Sequence, residues 1–246
     1  MTVEQKPLPG KLEARVRTLA SPDARVEIYW CRLDDDAALA ATLEPCLSAP
    51  EKARAERFGT DALRRRYVIG RATLRALLAR RLGIDAASVA IARGRRGRPR
   101  LGDGGDLDFN VSHTAGVLLA ALASGVTVGV DVERMDRAIR TEGIARRCLA
   151  PREQAAIGGL APDAARRSVL QRWTCKEAMS KATGDAMSAP FRRLDVDLHP
   201  LRLAAGPPPY DPADWVLHAL PAEGHFATLA LWSRAPVMSA STAGPD

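Results

Sequence analysis

The sequence predicts an α+β fold. Strand-like and helix-like segments are mixed without a regular βαβ repeat, which argues for antiparallel hairpins with helices on one side. Val126–Glu133 alternates strictly and is the clearest strand, while Asp61–Leu82 is a long amphipathic helix. Residues 1–23 lack periodicity and hold three prolines, so they read as a flexible N-terminal arm. Arg25–Arg32 alternates, with Val26, Ile28 and Trp30 on one face, and predicts a strand. Ser48 and Pro50 mark a helix entry running toward Phe58. In the Asp61–Leu82 helix, Leu63, Tyr67, Leu74, Leu77 and Leu78 share one broad stripe, and Gly83 closes it. Val89–Ala92, Leu107–Val111 and Val117–Ala123 predict three further strands, with a glycine and arginine loop over Gly94–Arg100. Helices follow at Thr141–Cys148, from Pro151, and over Ala164–Ala182. Strands return near 193–198, 215–220 and 225–232, and 234–246 read as a flexible tail.

Composition narrows the function classes. The chain has 246 residues, of which 46% are apolar, so a sizeable core is possible and disorder is excluded. The apolar run Val117–Ala123 is far short of the about 20 residues a membrane span needs. The first ten residues carry Glu4, Lys6 and two prolines, so no signal peptide is expected and the location is expected to be cytoplasmic. The net charge is +7, from five Lys and thirty-one Arg against 29 acids. Such a surface favours polyanions, although arginine excess is also a matter of genome composition. Cys31, Cys46, Cys148 and Cys175 form no CxxC pair, which argues against zinc.

Four segments carry possible chemistry. In Val126–Glu133 the valines share the core face, and Asp131 and Glu133 share the other with Gly129. Two carboxylates about 7 Å apart along a strand can converge on one cation, or simply meet solvent at a strand edge. Trp173, Glu177 and Lys181 lie on one helix face, with Lys176 about 100° around from Glu177. That pattern is either a solvated ion pair or an inward-facing group drawn in by Trp173. Asp108–Thr114 alternates until Ser112-His113-Thr114, a run that offers donors to phosphate or a packed histidine at a turn. No G-x-S-x-G elbow accompanies Ser112, so a hydrolase nucleophile is not expected. Arg93–Arg100 holds five arginines but no Walker Lys-Ser/Thr, so it is not a P-loop. It suits phosphate, nonspecific nucleic acid or plain solvation. Together these residues supply oxygen ligands for Mg²⁺ and cations for phosphates, the inventory of phosphoryl-type transfer.

The motifs, in order, are Arg66-Tyr-Val-Ile-Gly-Arg71, Gly97-Arg-Pro99, Phe109-Asn-Val-Ser-His113, Val128-Gly-Val-Asp-Val-Glu133 and Trp173-x-x-Lys-Glu-Ala-x-x-Lys-Ala182. In this the chain resembles the 4′-phosphopantetheinyl transferases of the Sfp type. The resemblance implies an internally duplicated pseudo-dimer of two similar α+β subdomains, 24–125 and 126–233, with the active site in the cleft between them. A faint echo of Arg66–Ala72 in Arg172–Ala178 is either a mark of duplication or chance. The resemblance also implies a monomer, Mg²⁺ (with Mn²⁺ as substitute), coenzyme A as donor and an apo acyl or peptidyl carrier protein as acceptor. Asp131, Glu133 and Glu177 match the metal ligands; Lys181 and His113 match phosphate-binding residues. Arg98 matches a position near the adenosine. Arg66, Ser112 and Lys176 join the expected coenzyme A contacts. The 3′-phosphate is expected on Arg54, with Lys52 and Arg57 competing. Glu153 matches a glutamate that serves as base, and Glu177 and Lys181 complete the catalytic set. The expected reaction is transfer of 4′-phosphopantetheine to a carrier serine, releasing 3′,5′-ADP, with no nucleic-acid or membrane partner. The alternatives are a basic nucleic-acid-binding protein or a degraded coenzyme A binder.

Overall fold

A computed structural model describes residues 8–102 and 105–233. The fold is α+β, with four antiparallel sheets. The first half contains α1 (Gly10–Glu13), β1 (Val16–Leu19), β2 (Val26–Arg32), α2 (Ala37–Leu43), α3 (Ala49–Ala55), α4 (Asp61–Leu82), β3 (Ile91–Arg93), β4 (Pro99–Leu101), β5 (Leu107–Thr114) and β6 (Val117–Ser124). The second contains β7 (Thr127–Arg134), α5 (Thr141–Cys148), α6 (Pro151–Ile157), α7 (Pro162–Thr183), β8 (Asp195–Leu198), β9 (Leu201–Ala205), β10 (Trp215–Ala219) and β11 (His225–Trp232). Among the described residues, no helix is long and apolar enough to cross a membrane.

The expected arm at 1–23 is corrected from residue 8 onward. Leu12 is buried, and β1 pairs antiparallel with β2, Val16 opposite Cys31. An edge strand of four residues has too short an alternation to be read alone, and its partner supplies the order. The expected tail at 234–246 lies outside the described residues. The loop Gly94–Arg100 is the turn and second strand of a short hairpin, β3 against β4. Leu63 departs from the core stripe of α4 and is 47% exposed.

The two main sheets run β1-β2-β6-β5 and β10-β11-β7. Val26, Ile28 and Trp30 of β2 join Leu119 of β6, Val128, Val130 and Val132 of β7 and Leu229 of β11 in one apolar cluster. The alternation of β2 and β7 therefore buries one face of each sheet against the other. α4 covers the outer face of the first sheet through Leu74, Leu77 and Leu78. α7 covers that of the second through Ala178, Met179 and Ala182.

β7 is an edge strand of its sheet, and β5 lies beside it without a backbone ladder. Side chains of β5 take its amides instead. Val128 N–H donates to Asp108 Oδ2 at 2.8 Å, Val130 N–H to Asn110 Oδ1 at 3.1 Å and Val132 N–H to Ser112 Oγ at 3.3 Å. Buried backbone donors must find partners, and here alternate residues of one strand meet alternate amides of the next.

Each half also contains one short helix latched to one long helix. Glu51 accepts from Ser48 N–H at 2.8 Å and from Arg75 Nε at 2.6 Å, and pairs with Arg71. Glu153 accepts from Ala150 N–H at 2.6 Å and from Lys176 Nζ at 2.5 Å. Both acids sit in the first turn of their helices. α4 and α7 are both 22 residues long and end on left-handed glycines, Gly83 and Gly184.

α7 lies within backbone contact of β7. A Cβ at Gly129 would stand 2.0 Å from Ala178 O and 2.8 Å from Ala182 N. Gly129→Ala is therefore expected to cost on the order of 3 kcal/mol, since overpacking here must move a helix. Chemical denaturation checks this; an unchanged midpoint would show that the helix yields freely.

Candidate active site

The candidate site is built where β7 faces α7 and extends into the first half. Asp131 and Glu133 leave β7 on the face opposite its valines, and Glu177 and Lys181 descend from α7. Asp131 is 5% exposed. Its Oδ1 accepts from Lys181 Nζ at 2.7 Å and from Ser112 Oγ at 2.7 Å. Lys181 Nζ also donates to Ser112 Oγ at 2.8 Å and to Val130 O at 3.3 Å. Glu133 pairs with Arg137, one turn beyond the strand.

Two carboxylate oxygens in this group are buried without a hydrogen-bond partner, Asp131 Oδ2 and Glu177 Oε1. Burial pushes the Glu177 carboxyl up to about 7, and Asp131 and Glu133 add to the rise against Lys181. Burial likewise raises Glu133, with Asp131 adding and Arg137 opposing. Crowded carboxylates with orphaned oxygens form a hard, all-oxygen donor set, which fits Mg²⁺. Among the described residues, no three His, Cys, Asp or Glu side chains already stand in a ligating arrangement. Lys181 and Arg137 now answer the charges of Asp131 and Glu133.

Beside this cluster a cavity of about 640 Å³ opens over α3 and α4. Arg54, Arg66, Arg71, Arg93 and His113 line it, with Phe58, Tyr67, Ile91 and Pro99 as apolar walls. Arg54 lies over the Tyr67 ring at 5.8 Å. His113 joins cavity and cluster. It is solvent-accessible, yet the protein around it pushes its pKa down, and the charges of Lys181, Arg71 and Arg54 push it further. A polar rim of arginines over an apolar wall suits a ligand with phosphates and a ring.

The structure sorts the expected residues into distinct places. Arg54, Arg66 and His113 share the cavity; Asp131, Glu133, Glu177, Lys181 and Ser112 share the acidic cluster. Of the three candidates in the α3 region, Arg54 lines the cavity, whereas Lys52 and Arg57 are exposed and are not among its lining residues. Ser112 is 3% exposed, and its hydroxyl is taken up by Asp131, Lys181 and Val132 N–H, so it supports the cluster rather than offering a free donor.

Two expectations are corrected, and Arg98 takes on added partners. Lys176 is fully buried and spends its three donors on Cys148 O at 2.8 Å, Phe191 O at 2.9 Å and Glu153. It cannot contact a ligand. Glu153 is 2% exposed and accepts from Lys176, Ala150 N–H and, through Oε1, from Val196 N–H at 2.8 Å. A carboxylate so enclosed latches α6 and β8 to α7 and is not placed to act as a base. Arg98 does not line that cavity; it lines a smaller one of about 230 Å³ beside it, with Pro99, Val111 and Lys181. Its guanidinium grips Asp108 with two bonds, at 2.8 and 2.7 Å, and also donates to Val128 O and Lys181 O, both at 2.9 Å.

Some residues of the site stood in the sequence only as members of a motif, with no role of their own. Arg71 and Arg93 line the cavity, and Asp108 and Asn110 hold the edge of β7. A usable signal was present: Asp108, Asn110 and Ser112 place acceptors at every second position of one strand.

Comparison with known proteins gives the family. The profile described as 4′-phosphopantetheinyl transferase, N-terminal, matches residues 32–125, and that of the 4′-phosphopantetheinyl transferase superfamily matches residues 127–229. The 4′-phosphopantetheinyl transferase HetI of Nostoc sp. is 34% identical over 71% of this chain and 75% of its own. A 4′-phosphopantetheinyl transferase of Bacillus subtilis is 28% identical over 62% of this chain and 66% of its own. A phosphopantetheinyl transferase of Thraustochytrium sp. is 28% identical over 72% of this chain and 67% of its own. The two profiles meet at the start of β7, the strand that carries Asp131 and Glu133, and the chain belongs to the 4′-phosphopantetheinyl transferase superfamily.

Proposed function

We propose that the protein transfers 4′-phosphopantetheine from coenzyme A to a serine of an apo acyl or peptidyl carrier protein. The observation that carries this is an arginine-lined cavity that adjoins, at His113, a carboxylate cluster with two buried, unpartnered oxygens. Arg54, Arg66, Arg71 and His113 are assigned to the phosphates of coenzyme A. Asp131, Glu133 and Glu177 are assigned to Mg²⁺ or Mn²⁺, which when bound neutralises charge on the pyrophosphate. The carrier serine forms a bond from its Oγ to the β-phosphorus, the pyrophosphate P–O bond breaks and 3′,5′-ADP leaves. Lys181 balances the negative charge that builds on the departing group. With Glu153 sealed in its latch and the three cluster acids assigned to the metal, the serine proton passes to solvent. The arginine excess suits an acidic carrier surface. The nucleic-acid alternative rested on the arginine loop, of which Arg96 and Arg98 are engaged by Asp185 and Asp108.

The same reading takes the halves 24–125 and 126–233 as two copies of one pattern around a cleft, acting as a monomer. The matched latches support it: Arg75 and Lys176 stand at equivalent positions of equally long helices, each reaching a first-turn glutamate.

Incubation with coenzyme A, Mg²⁺ and a panel of apo carriers should give a phosphopantetheinyl adduct by mass spectrometry. No adduct on any carrier would overturn the assignment. Glu177→Gln is expected to lower kcat by about a hundredfold or more. If it also abolishes the rise in melting temperature on adding Mg²⁺, Glu177 is a metal ligand; a rise that persists would overturn that assignment.

Glu177 predicts a pH dependence of stability as well. The folded protein keeps the Glu177 proton up to about 7, whereas the unfolded chain releases it near 4.5. Folding therefore binds a proton in this window, and stability falls as pH rises through it. Melting temperatures in chelator, from about pH 5 to 8, should drop more for the native chain than for Glu177→Gln. Glu153→Gln leaves Lys176 buried without its countercharge and should cost about 3–5 kcal/mol by denaturant titration. Its kcat, measured on folded protein, should stay within about threefold of the native value; a hundredfold loss would restore Glu153 as the base.

A further inference from the structure

We propose that the guanidinium of Arg98 is a positioning group: it fixes the last turn of α7 against the edge of β7, so that Lys181 meets Asp131, and it makes no bond to coenzyme A itself. The proposal rests on the transferase reading for its kinetic part only.

Arg98 comes from the β3–β4 hairpin of the first half, and its guanidinium joins three elements. Two bonds go to Asp108 on β5, one to Val128 O on β7 and one to Lys181 O on α7. Asp108 in turn accepts from Val128 N–H, so both polar groups of Val128 are held by this pair. Lys181 lies in the last turn of α7, where carbonyls have no acceptor role left within the helix. A cation at that end satisfies such a carbonyl and complements the helix dipole. Lys181 is thus held twice, its carbonyl by Arg98 and its ammonium by Asp131, Ser112 and Val130 O. Val128 O and Val130 O are neighbouring outward carbonyls of β7, and Arg98 and Lys181 take one each. Gly129, between them, sets how close α7 comes; Arg98 sets how far along the strand it sits.

The hairpin turn is shaped for this contact. Arg96 and Ala186 are the non-glycine residues with positive φ among the described residues, at 52° and 48°. Arg96 pairs with Asp185, the residue before Ala186, and Tyr210 Oη donates to the same carboxylate at 2.8 Å. Unfavourable backbone of this kind persists where surrounding contacts impose it. Arginine is required at 98 because a planar fork can grip a carboxylate with two bonds and still reach two carbonyls, whereas an ammonium cannot.

The test uses the full chain with Arg98→Met and Arg98→Lys. Three quantities are measured: calorimetric affinity for coenzyme A with Mg²⁺, kcat at saturating coenzyme A, and hydrogen exchange by peptide. Arg98→Met should lower kcat about tenfold or more and leave the Kd for coenzyme A within about twofold. Amides of residues 126–132 and 180–185 should exchange faster while those of α4 do not change. Arg98→Lys should recover part of kcat. A Kd raised about fivefold or more would make Arg98 a coenzyme A ligand and overturn the proposal. Unchanged exchange in both segments would overturn it as well. If the native chain modifies no carrier, the transferase reading fails, and the exchange measurement still decides the role of Arg98.

Discussion

The open edge of β7 is the constraint on which the rest depends. A strand at the border of a sheet exposes amides and carbonyls that must be satisfied when buried. A neighbouring strand could have closed the edge with its own backbone, but β5 closes it with side chains. Each of those side chains has capacity beyond the single amide it accepts. Asp108 uses the remainder on Arg98, and Ser112 uses it on Asp131 and Lys181. Sealing the edge and assembling the acidic cluster are therefore one network. Because β5 belongs to the first half and β7 to the second, the network also joins the halves.

The two long helices play complementary parts around that edge. α4 turns Arg66 and Arg71 toward an open cavity, and α7 turns Glu177 and Lys181 toward the strand. Both are anchored from behind by the same device, a glutamate in the first turn of a short helix gripping a basic side chain. The two lysines of α7 therefore divide sharply. Lys176 serves the anchor and Lys181 the candidate site, although they lie on one helix.

That division shows what a sequence can and cannot reveal here. The alternation of Val126–Glu133 and the periodicity of both long helices depend on neighbouring residues only, so their extents and their inward faces were legible. The pairing of Asp131 with the Glu177 and Lys181 face followed from the same local geometry together with the family motifs. The role of Glu153 was misread, and the partners of Arg98 went unseen, because distant residues decide them. Glu153 is fixed by Lys176 and Val196, and Arg98 by Val128 and Lys181. β1 was missed for a similar reason, since four residues have no pattern until β2 lies beside them. β9 sits between two prolines and small residues, where its alternation is masked.

The bare backbone at Gly129 has a consequence for how this protein can evolve. With no side chain as a spacer, the helix is drawn in until acids from two elements crowd one another. Burial of Glu177 beside Asp131 and Glu133 is a standing cost to the folded state. On the transferase reading, replacing Glu177 would make the protein more robust and less able to do its work. Selection for durability and selection for activity would then pull this one contact in opposite directions.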